Sequence, residues 1–522
     1  MKKLELSLYT LAVALCLPAF AFAQGRIEKL PASAAAKHDV SKPLREITPL
    51  KAKTNRKDFE PKRPAEPGGQ FDDPVVQSSY SPLIAVTAGL NFEGVGDGLP
   101  GYNVNVAPPD TTGDVGDTQY VQWVNLSFAV FDKTSGAMVY GPAAGNTLWS
   151  GFGGPCETSN DGDPIVQYDQ LANRWMLTQF AVPGGAAGFW QCVAVSTTSD
   201  ATGSYNSYAF QYNQFPDYPK ASVWPDAYYV TFNMFTSFFT GARVCAWDRA
   251  RMLAGQPATQ QCFQLSTSFG SLLPADLDGP TQPPAGAPNY MLNFGTNILR
   301  LWKFHVDWAN PGNTTLTGPT SIGVAAFTRG CDGGACVAQP GTNQKLDSLG
   351  DRLMYRLAYR NFGTHESLVV NHTVRTGGSN KKNQRTGIRW YELRNPNGTP
   401  TVFQQGTYAP DADNYRWMGS AAQDKVGNLA VGFSVSSGSL RPSIRFAARG
   451  PSDPANTLGS ETNVFTGTGS QTQGLARWGD YATISVDPID DCTMWFTTQY
   501  IATNGTFNWH TRINSFKLQG CQ

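Results

Sequence analysis

Histidine is scarce in this 522-residue chain, with five in all, and charge is thin, with 15% charged residues and 40 basic against 40 acidic. The basic residues include a cluster near the N-terminus, so the rest leans acidic and offers no nucleic-acid footprint. There is no H-E-x-x-H pair, no G-x-S-x-G elbow and no glycine loop leading into a lysine. Those absences remove the zinc-peptidase, serine-elbow and phosphate-loop readings. The EF-hand pattern is missing, and no cysteine pair has the spacing and companion histidine of a zinc site. Beyond the first two dozen residues no apolar run is long enough to cross a bilayer, so no transmembrane segment is expected.

What is present begins with a secretory signal over residues 1–23. Lys2 and Lys3 lead an apolar run from Leu8 to Phe20, and Ala21-Phe22-Ala23 is a small-x-small cleavage site. The expected location is secreted or periplasmic. Nine cysteines minus Cys16 of the signal leaves eight, an even number in an exported chain. Proximity predicts the pairs Cys156–Cys192, Cys245–Cys262, Cys331–Cys336 and Cys492–Cys521. Residues 24–79 are rich in Pro, Lys and Ala without apolar periodicity, so they read as a disordered tail, linker or propeptide. Gly 53, Pro 35 and 12% aromatics fit an all-β protein with many turns.

From residue 80 to 522 one unit recurs. Its last copy is Arg477-Trp478-Gly479-Asp480-Tyr481, a short strand to a turn at Asp487, then the aromatic strand Met494-Trp495-Phe496. Similar units start near Asp110, Asp163, Asp217, Asp276 or Asp278, Asp351 and Trp417. A fixed supersecondary unit repeated along a chain signals a stacked or radial architecture. The reading is a seven-bladed β-propeller of four-stranded antiparallel blades, with a β-sandwich array as the alternative. The last unit shows three strands, and the run Ile84–Phe92 could supply its fourth and remove an open edge. Asp248 to Gly255 has the caps of a short helix.

In a propeller the inner strands line a channel, so strand starts converge on one face. Asp480, Asp351 and Asp163 are the candidate catalytic acids. Asp110, Asp217, Arg352, Arg416, Arg477, Trp417 and Trp478 are the candidate substrate-binding residues. Carboxylates can protonate a glycosidic oxygen, arginines can grip an acidic sugar and indoles can stack on sugar faces. Asp at a strand start also caps backbone donors, which is the structural reading of the same ring. The turn series Asp169, Asp424 and Asp487 reads as structural. Glu157, Asn160, Asp161 and Asp163 form the one candidate calcium loop, and no cofactor is otherwise required. His365-Glu366 reads as a solvated hairpin, and His305 and His372 as packed.

Three segments resemble an uncharacterised family of secreted bacterial β-propeller proteins: Ala107 to Gly116, Tyr359 to His372 and Arg477 to Tyr481. At fold level the chain also resembles sialidase-like (BNR-type) propellers. Those carry S-x-D-x-G-x-x-W boxes, and none is intact here; Ser485-Val486-Asp487 starts one and lacks the glycine. The combined expectation is an exported monomer that acts on or binds an extracellular glycan or cell-surface ligand. Glycoside hydrolysis or lyase chemistry is one form of it, and a non-catalytic binding or adhesion propeller is the other.

Overall fold

The computed structural model describes residues 26–52, 56–57, 69–82, 84–377 and 384–522. The signal segment lies outside them. The described chain is all-β with predominantly antiparallel sheets. Its short apolar runs, broken by turn residues, form four-stranded meanders in sequence order. The first runs from Thr111–Val115 to Met138–Ala144, the second from Gly162–Asp169 to Tyr205–Tyr212, and the third from Phe215–Val223 to Thr259–Leu265. The fourth runs from Leu273–Asp278 to Thr315–Gly323, the fifth from Met354–Asn361 to Thr401–Tyr408, and the sixth from Tyr415–Gln423 to Thr462–Phe465. The last begins at Thr483–Val486 and ends at Trp509–Leu518. Its fourth strand comes from far upstream: Val86–Glu93 pairs antiparallel with Trp509–Leu518, placing Phe92 opposite Ile513. That is the closure the sequence suggested.

The first strands of these meanders pack side by side in a circuit, each against the next, with the last returning to the first. Between the fourth and fifth the contact is a parallel ladder, Ala275 opposite Leu357 through Asp278 opposite Arg360. Elsewhere side chains bridge the gap. Asp114 Oδ2 accepts from the Tyr168 N–H at 2.7 Å, Asp276 Oδ1 from Val223 N–H at 2.9 Å and Ser420 Oγ from Ile484 N–H at 3.0 Å. Apolar residues fill the space between sheets: Trp123 and Trp175 are fully buried, as are Trp302 and Trp390.

The turn aspartates behave as the sequence implied. Asp424 accepts from the N–H groups of Val426 and Asn428, both at 3.0 Å. Two of the series also tie neighbouring sheets. Asp169 takes both arms of Arg249, at 2.6 and 2.9 Å, and Asp487 binds Lys133 Nζ at 2.7 Å. The short helix is Arg249–Leu253, capped by the Asp248 carboxylate on Arg251 N–H.

The tail departs from expectation where it is described. Ile27–Lys29 and Ser33–Ala34 add to the edge strand Thr259–Leu265, and Lys37–Val40 adds to Tyr205–Tyr212. Val76–Gln77 pairs in parallel with Thr401–Tyr408, and Asp73 meets Arg389 at 2.7 Å. These stretches are ordered, which corrects the reading of a wholly disordered tail. Strand addition rests on backbone hydrogen bonds, so it needs no apolar periodicity.

All four expected disulfides are formed. Among the described residues no helix is long and apolar enough to cross a membrane. The Cys492–Cys521 bond closes a 29-residue separation and ties the chain end to the sheet that Val86–Glu93 completes. In the chain-entropy account such a loop contributes about 3–4 kcal/mol. The Cys492→Ser/Cys521→Ser double variant should therefore melt at a lower temperature than the parent; an unchanged melt would show that this sheet needs no covalent anchor.

Candidate functional site

The starts of several first strands share one local device. Asp110, Asp163, Tyr218 and Met418 each hold φ near +50°, and the ladders of the second, third and sixth sheets slip beside three of them, at Gly162/Ile165, Asp217/Lys220 and Trp417/Ser420. A bulge with a residue in the left-handed region bends the strand and re-aims its side chains. Such positions cost about 1–3 kcal/mol each for non-glycine residues, so the surroundings must hold them in place.

Aspartates at two of these starts reach the backbone of neighbouring sheets. Asp110 Oδ1 accepts from Asp480 N–H at 2.8 Å, and its Oδ2 accepts from Asn125 Nδ2 at 3.0 Å. Asp163 Oδ2 accepts from Tyr218 N–H at 3.2 Å. The capping role of these acids is real, but each caps a backbone other than its own strand's.

Within this ring lies Lys220, a residue the sequence reading passed over. Its Nζ sits 3.5 Å from the centroid of the Tyr218 ring and 4.1 Å from that of Tyr481, and it donates to Pro219 O at 2.8 Å. Burial pulls its pKa down to about 8, while Asp163, Asp480 and Asp110 act to hold the charge and Arg352 acts against it. Arg352 lies over the same Tyr218 ring, 4.7 Å from its centroid, and is paired with Asp351 at 2.9 Å. Arg477 pairs with Asp480. Tyr481 donates its hydroxyl to Pro164 O at 3.0 Å, and burial raises its pKa well above the phenol range.

Asp110, Asp163 and Asp480 of the expected ring thus meet around Lys220, with Asp351, Arg352 and Arg477 at its margin. Asp217 is buried at the bulge of the third sheet, opposite Asn233. Other expected residues do not join. Arg416 is fully buried and turns to Asp411 and Glu461. Trp417 and Trp478 are fully buried and meet edge to face at 5.6 Å, with Trp478 Nε1 donating to Ser434 Oγ at 3.0 Å. Their rings are packing, not open stacking surfaces. The mouth is not an open funnel either: Asp110, Asp163, Asp217, Asp480, Lys220 and Arg352 are all buried. Two long connections supply Arg352 and Arg477 and lace together. Gln339 Nε2 donates to Gln471 O at 3.0 Å, Gln471 N–H to Gln339 Oε1 at 2.7 Å, and Asp347 N–H to Ala476 O at 2.8 Å.

The opposite end of the circuit holds a second polar group. Asp276 and Asp278, read from sequence as strand-start acids, lie here and bind Arg356 at 3.0 and 2.7 Å. Arg356 Nε also donates to Ile484 O at 2.9 Å, so one guanidinium joins the fourth, fifth and last sheets. A cavity of about 20 Å³ remains beside Asp114, Gln167 and Ser485, room for a single water. Burial pushes Asp114 up to about 7 and Asp276 up to about 6, with Arg356 opposing both shifts.

The candidate calcium loop does not gather. Glu157 accepts from Gly151 and Gly153 N–H at 2.8 and 2.6 Å, Asp161 from Val182 N–H at 2.6 Å, and Asn160 Nδ2 donates to Leu126 O at 3.0 Å. Among the described residues no group of three or more His, Cys, Asp or Glu is placed to hold a metal ion. Glu366 accepts from Tyr359 and Tyr290 hydroxyls at 2.8 and 3.3 Å, and His365 stacks on Phe362. His372 is packed among Phe294, Phe327 and Tyr391, whereas His305 is exposed.

No protein-family model matches the chain, and no curated protein does. Neither family resemblance is therefore supported by a sequence match. Solved structures similar to the chain include an α-L-arabinofuranosidase from Fusarium graminearum in complex with an iminosugar inhibitor. It is 8% identical, with a TM-score of 0.36, over 83% of this chain and 99% of that one. An ulvan lyase of a polysaccharide lyase family is 11% identical, with a TM-score of 0.35, over 82% and 95%. The WD40 domain of SCAP from fission yeast is 6% identical, with a TM-score of 0.29, over 76% and 81%. Likenesses this loose carry no argument about activity.

Two outcomes follow from the burial of these groups. An acid whose folded pKa is raised contributes stability that is whole below about pH 4 and is lost as pH rises through the folded value. Asp114→Asn should therefore lose less melting temperature than the parent between pH 4.5 and 8, and an equal loss would contradict the shift. Trp478→Ala should cost about 3–5 kcal/mol of stability, as for other buried indoles; a melt within a degree of the parent would contradict its packing role.

Proposed function

We propose that the meanders are the seven four-stranded blades of one closed β-propeller, exported and monomeric, that acts on or binds extracellular carbohydrate at the centre of its ring. The observation that carries this reading is the Lys220 ammonium buried among Asp110, Asp163 and Asp480, with Arg352 and Arg477 at the margin. A lysine near pKa 8 exchanges its proton close to neutrality, as a general base or acid must. An amine base with arginines beside it suits β-elimination from an acidic sugar, the arginines offsetting the substrate carboxylate. Asp480 with Asp163 would be the acid pair of a hydrolytic variant, and Asp351 would orient Arg352. Either chemistry needs the laced connections above the ring to part.

The second reading is a non-catalytic binding propeller. One observation favours it: Asp110 and Asp163 are already hydrogen-bonded to backbone N–H groups of the next sheet. Lys220→Met and Asp480→Asn, screened against neutral and uronate-containing polysaccharides, separate the readings. In the catalytic case turnover falls about 100-fold or more while the fold persists. In the binding case glycan retention falls and no bond is broken by the parent protein. Variants that lose only melting temperature, with glycan behaviour unchanged, would overturn a functional role for the ring centre.

A further inference from the structure

A cavity of about 340 Å³ lies outside the ring, between the outer strand of the second sheet and the outer strands of the third. Gln211 and Asn213 stand on one side and Arg243 and Gln260 on the other, and Leu30 and Ser33 of the tail complete the lining. Among the described residues that line it, Arg243 alone carries a charge. The volume falls within the range of small-molecule sites, about 300–1,000 Å³.

Its walls are fixed in place. The tail is laddered to both sheets, with Ile27–Lys29 and Ser33–Ala34 on Thr259–Leu265 and Lys37–Val40 on Tyr205–Tyr212. Leu30 N–H donates to Cys262 O at 2.9 Å, and Gln260 Nε2 donates to Ser33 Oγ at 3.1 Å. Across the gap Tyr212 donates its hydroxyl to Gln260 Oε1 at 2.8 Å, and the Cys245–Cys262 bond ties two strands of the third sheet. The site is therefore formed before any ligand arrives, which lowers the entropy cost of binding.

Arg243 sets the character of the site. It is 9% exposed, its Nε donates to Gln264 Oε1 at 3.0 Å, and its guanidinium carbon lies 5.9 Å from the centroid of the Tyr212 ring. Burial pulls its pKa down, and no carboxylate opposes that shift. The fully buried Arg356, Arg389 and Arg416 instead each face a carboxylate, from Asp276, Asp73 and Asp411 in turn. The two terminal nitrogens of Arg243 donate to no protein group and are not shut off from solvent, so they open onto the cavity. Glu28 shares the ladder row of Arg243, one strand beyond Gln264. Two strand spacings, roughly 10 Å, separate the two positions. Glu28 is also exposed and pairs with Arg26 at 3.6 Å, so water screens it from the arginine.

A cation would be repelled by Arg243, and a neutral ligand would leave its charge unmatched. A guanidinium presents a planar fork that meets a carboxylate through two parallel hydrogen bonds. One such charge balances a monoanion, whereas a dianion would carry an excess into the site. The exposed amides of Gln211 and Asn213 both donate and accept, which suits hydroxyl groups. We propose that this cavity binds a polar monocarboxylate of monosaccharide size, a sugar acid in its chemistry, with the carboxylate on Arg243. The site is separate from the ring centre, does not depend on the chemistry proposed there, and has the docked tail as one of its walls.

Titration calorimetry on the whole mature chain with glucuronate, lactate, glucose and sulfate tests this. The expected result is saturable binding of glucuronate, weaker binding of lactate, and none of glucose or sulfate. Arg243→Met keeps an apolar stem against Tyr212 and removes the fork, so it should weaken glucuronate binding about tenfold or more. Asn213→Asp adds a like charge at an exposed position of the lining, where the fold is indifferent, and should weaken it likewise. Lys220→Met, at the ring centre, should leave this binding as in the parent. Absence of saturable heat with glucuronate would overturn the proposal, as would lactate, glucose or sulfate binding as tightly. Glucuronate binding that survives both Arg243→Met and Asn213→Asp, or that is lost only in Lys220→Met, would overturn it too.

Discussion

The interior of this protein is governed by unpaired backbone at the edges of its first strands. Each meander is laddered within itself, but its first strand faces the next sheet without a ladder, except between the fourth and fifth. Backbone N–H groups at those buried edges need acceptors, because an unmet one costs a large part of a hydrogen bond. Asp110, Asp114, Asp163, Asp276 and Ser420 meet that need from the adjacent strand. The choice of aspartate then sets a second problem, since carboxylates gathered in a dry channel repel one another and resist ionisation. Lys220 at one end and Arg356 at the other lie where those charges concentrate. The two polar clusters are thus a physical outcome of how the sheets meet, whatever chemistry has been placed on them.

Much of the fold was legible because it is local. The recurring strand–turn unit, the turn aspartates and the capped helix at Asp248 depend on neighbours a few residues away. The cysteine pairs fell to proximity, as did the upstream strand offered to the last sheet. The site was only half legible. Asp110, Asp163 and Asp480 share a position in the repeat, so their convergence followed from the architecture. Lys220 shares no such position, although a lysine inside the buried run Tyr218 to Val223 is itself a signal, since lysine is almost never fully buried without partners. Arg416 and the two indoles misled because adjacency in sequence to a strand start does not decide which way a side chain leaves a bulge. Tail order was hidden for another reason: composition reports apolar burial, and these segments dock through main-chain groups.

The two laced connections give the ring centre its character. They carry Arg352 and Arg477 to the cluster around Lys220. These groups sit in a low-dielectric pocket where each charge is felt strongly by the next. Burial therefore both protects the cluster and makes it reactive in principle, and the same roof restricts what can reach it.

The pairing of Val86–Glu93 with Trp509–Leu518 also has a temporal meaning. These partners stand more than four hundred residues apart, so their contact is among the last that a chain made from its N-terminus can form. Until then the upstream strand is an unmatched edge carrying apolar side chains, the kind of surface that recruits the wrong partner. A chain made end-first would thus expose one sticky strand for most of its synthesis, and would bury it in a single late step. Completion of the ring and burial of the hazard are one event.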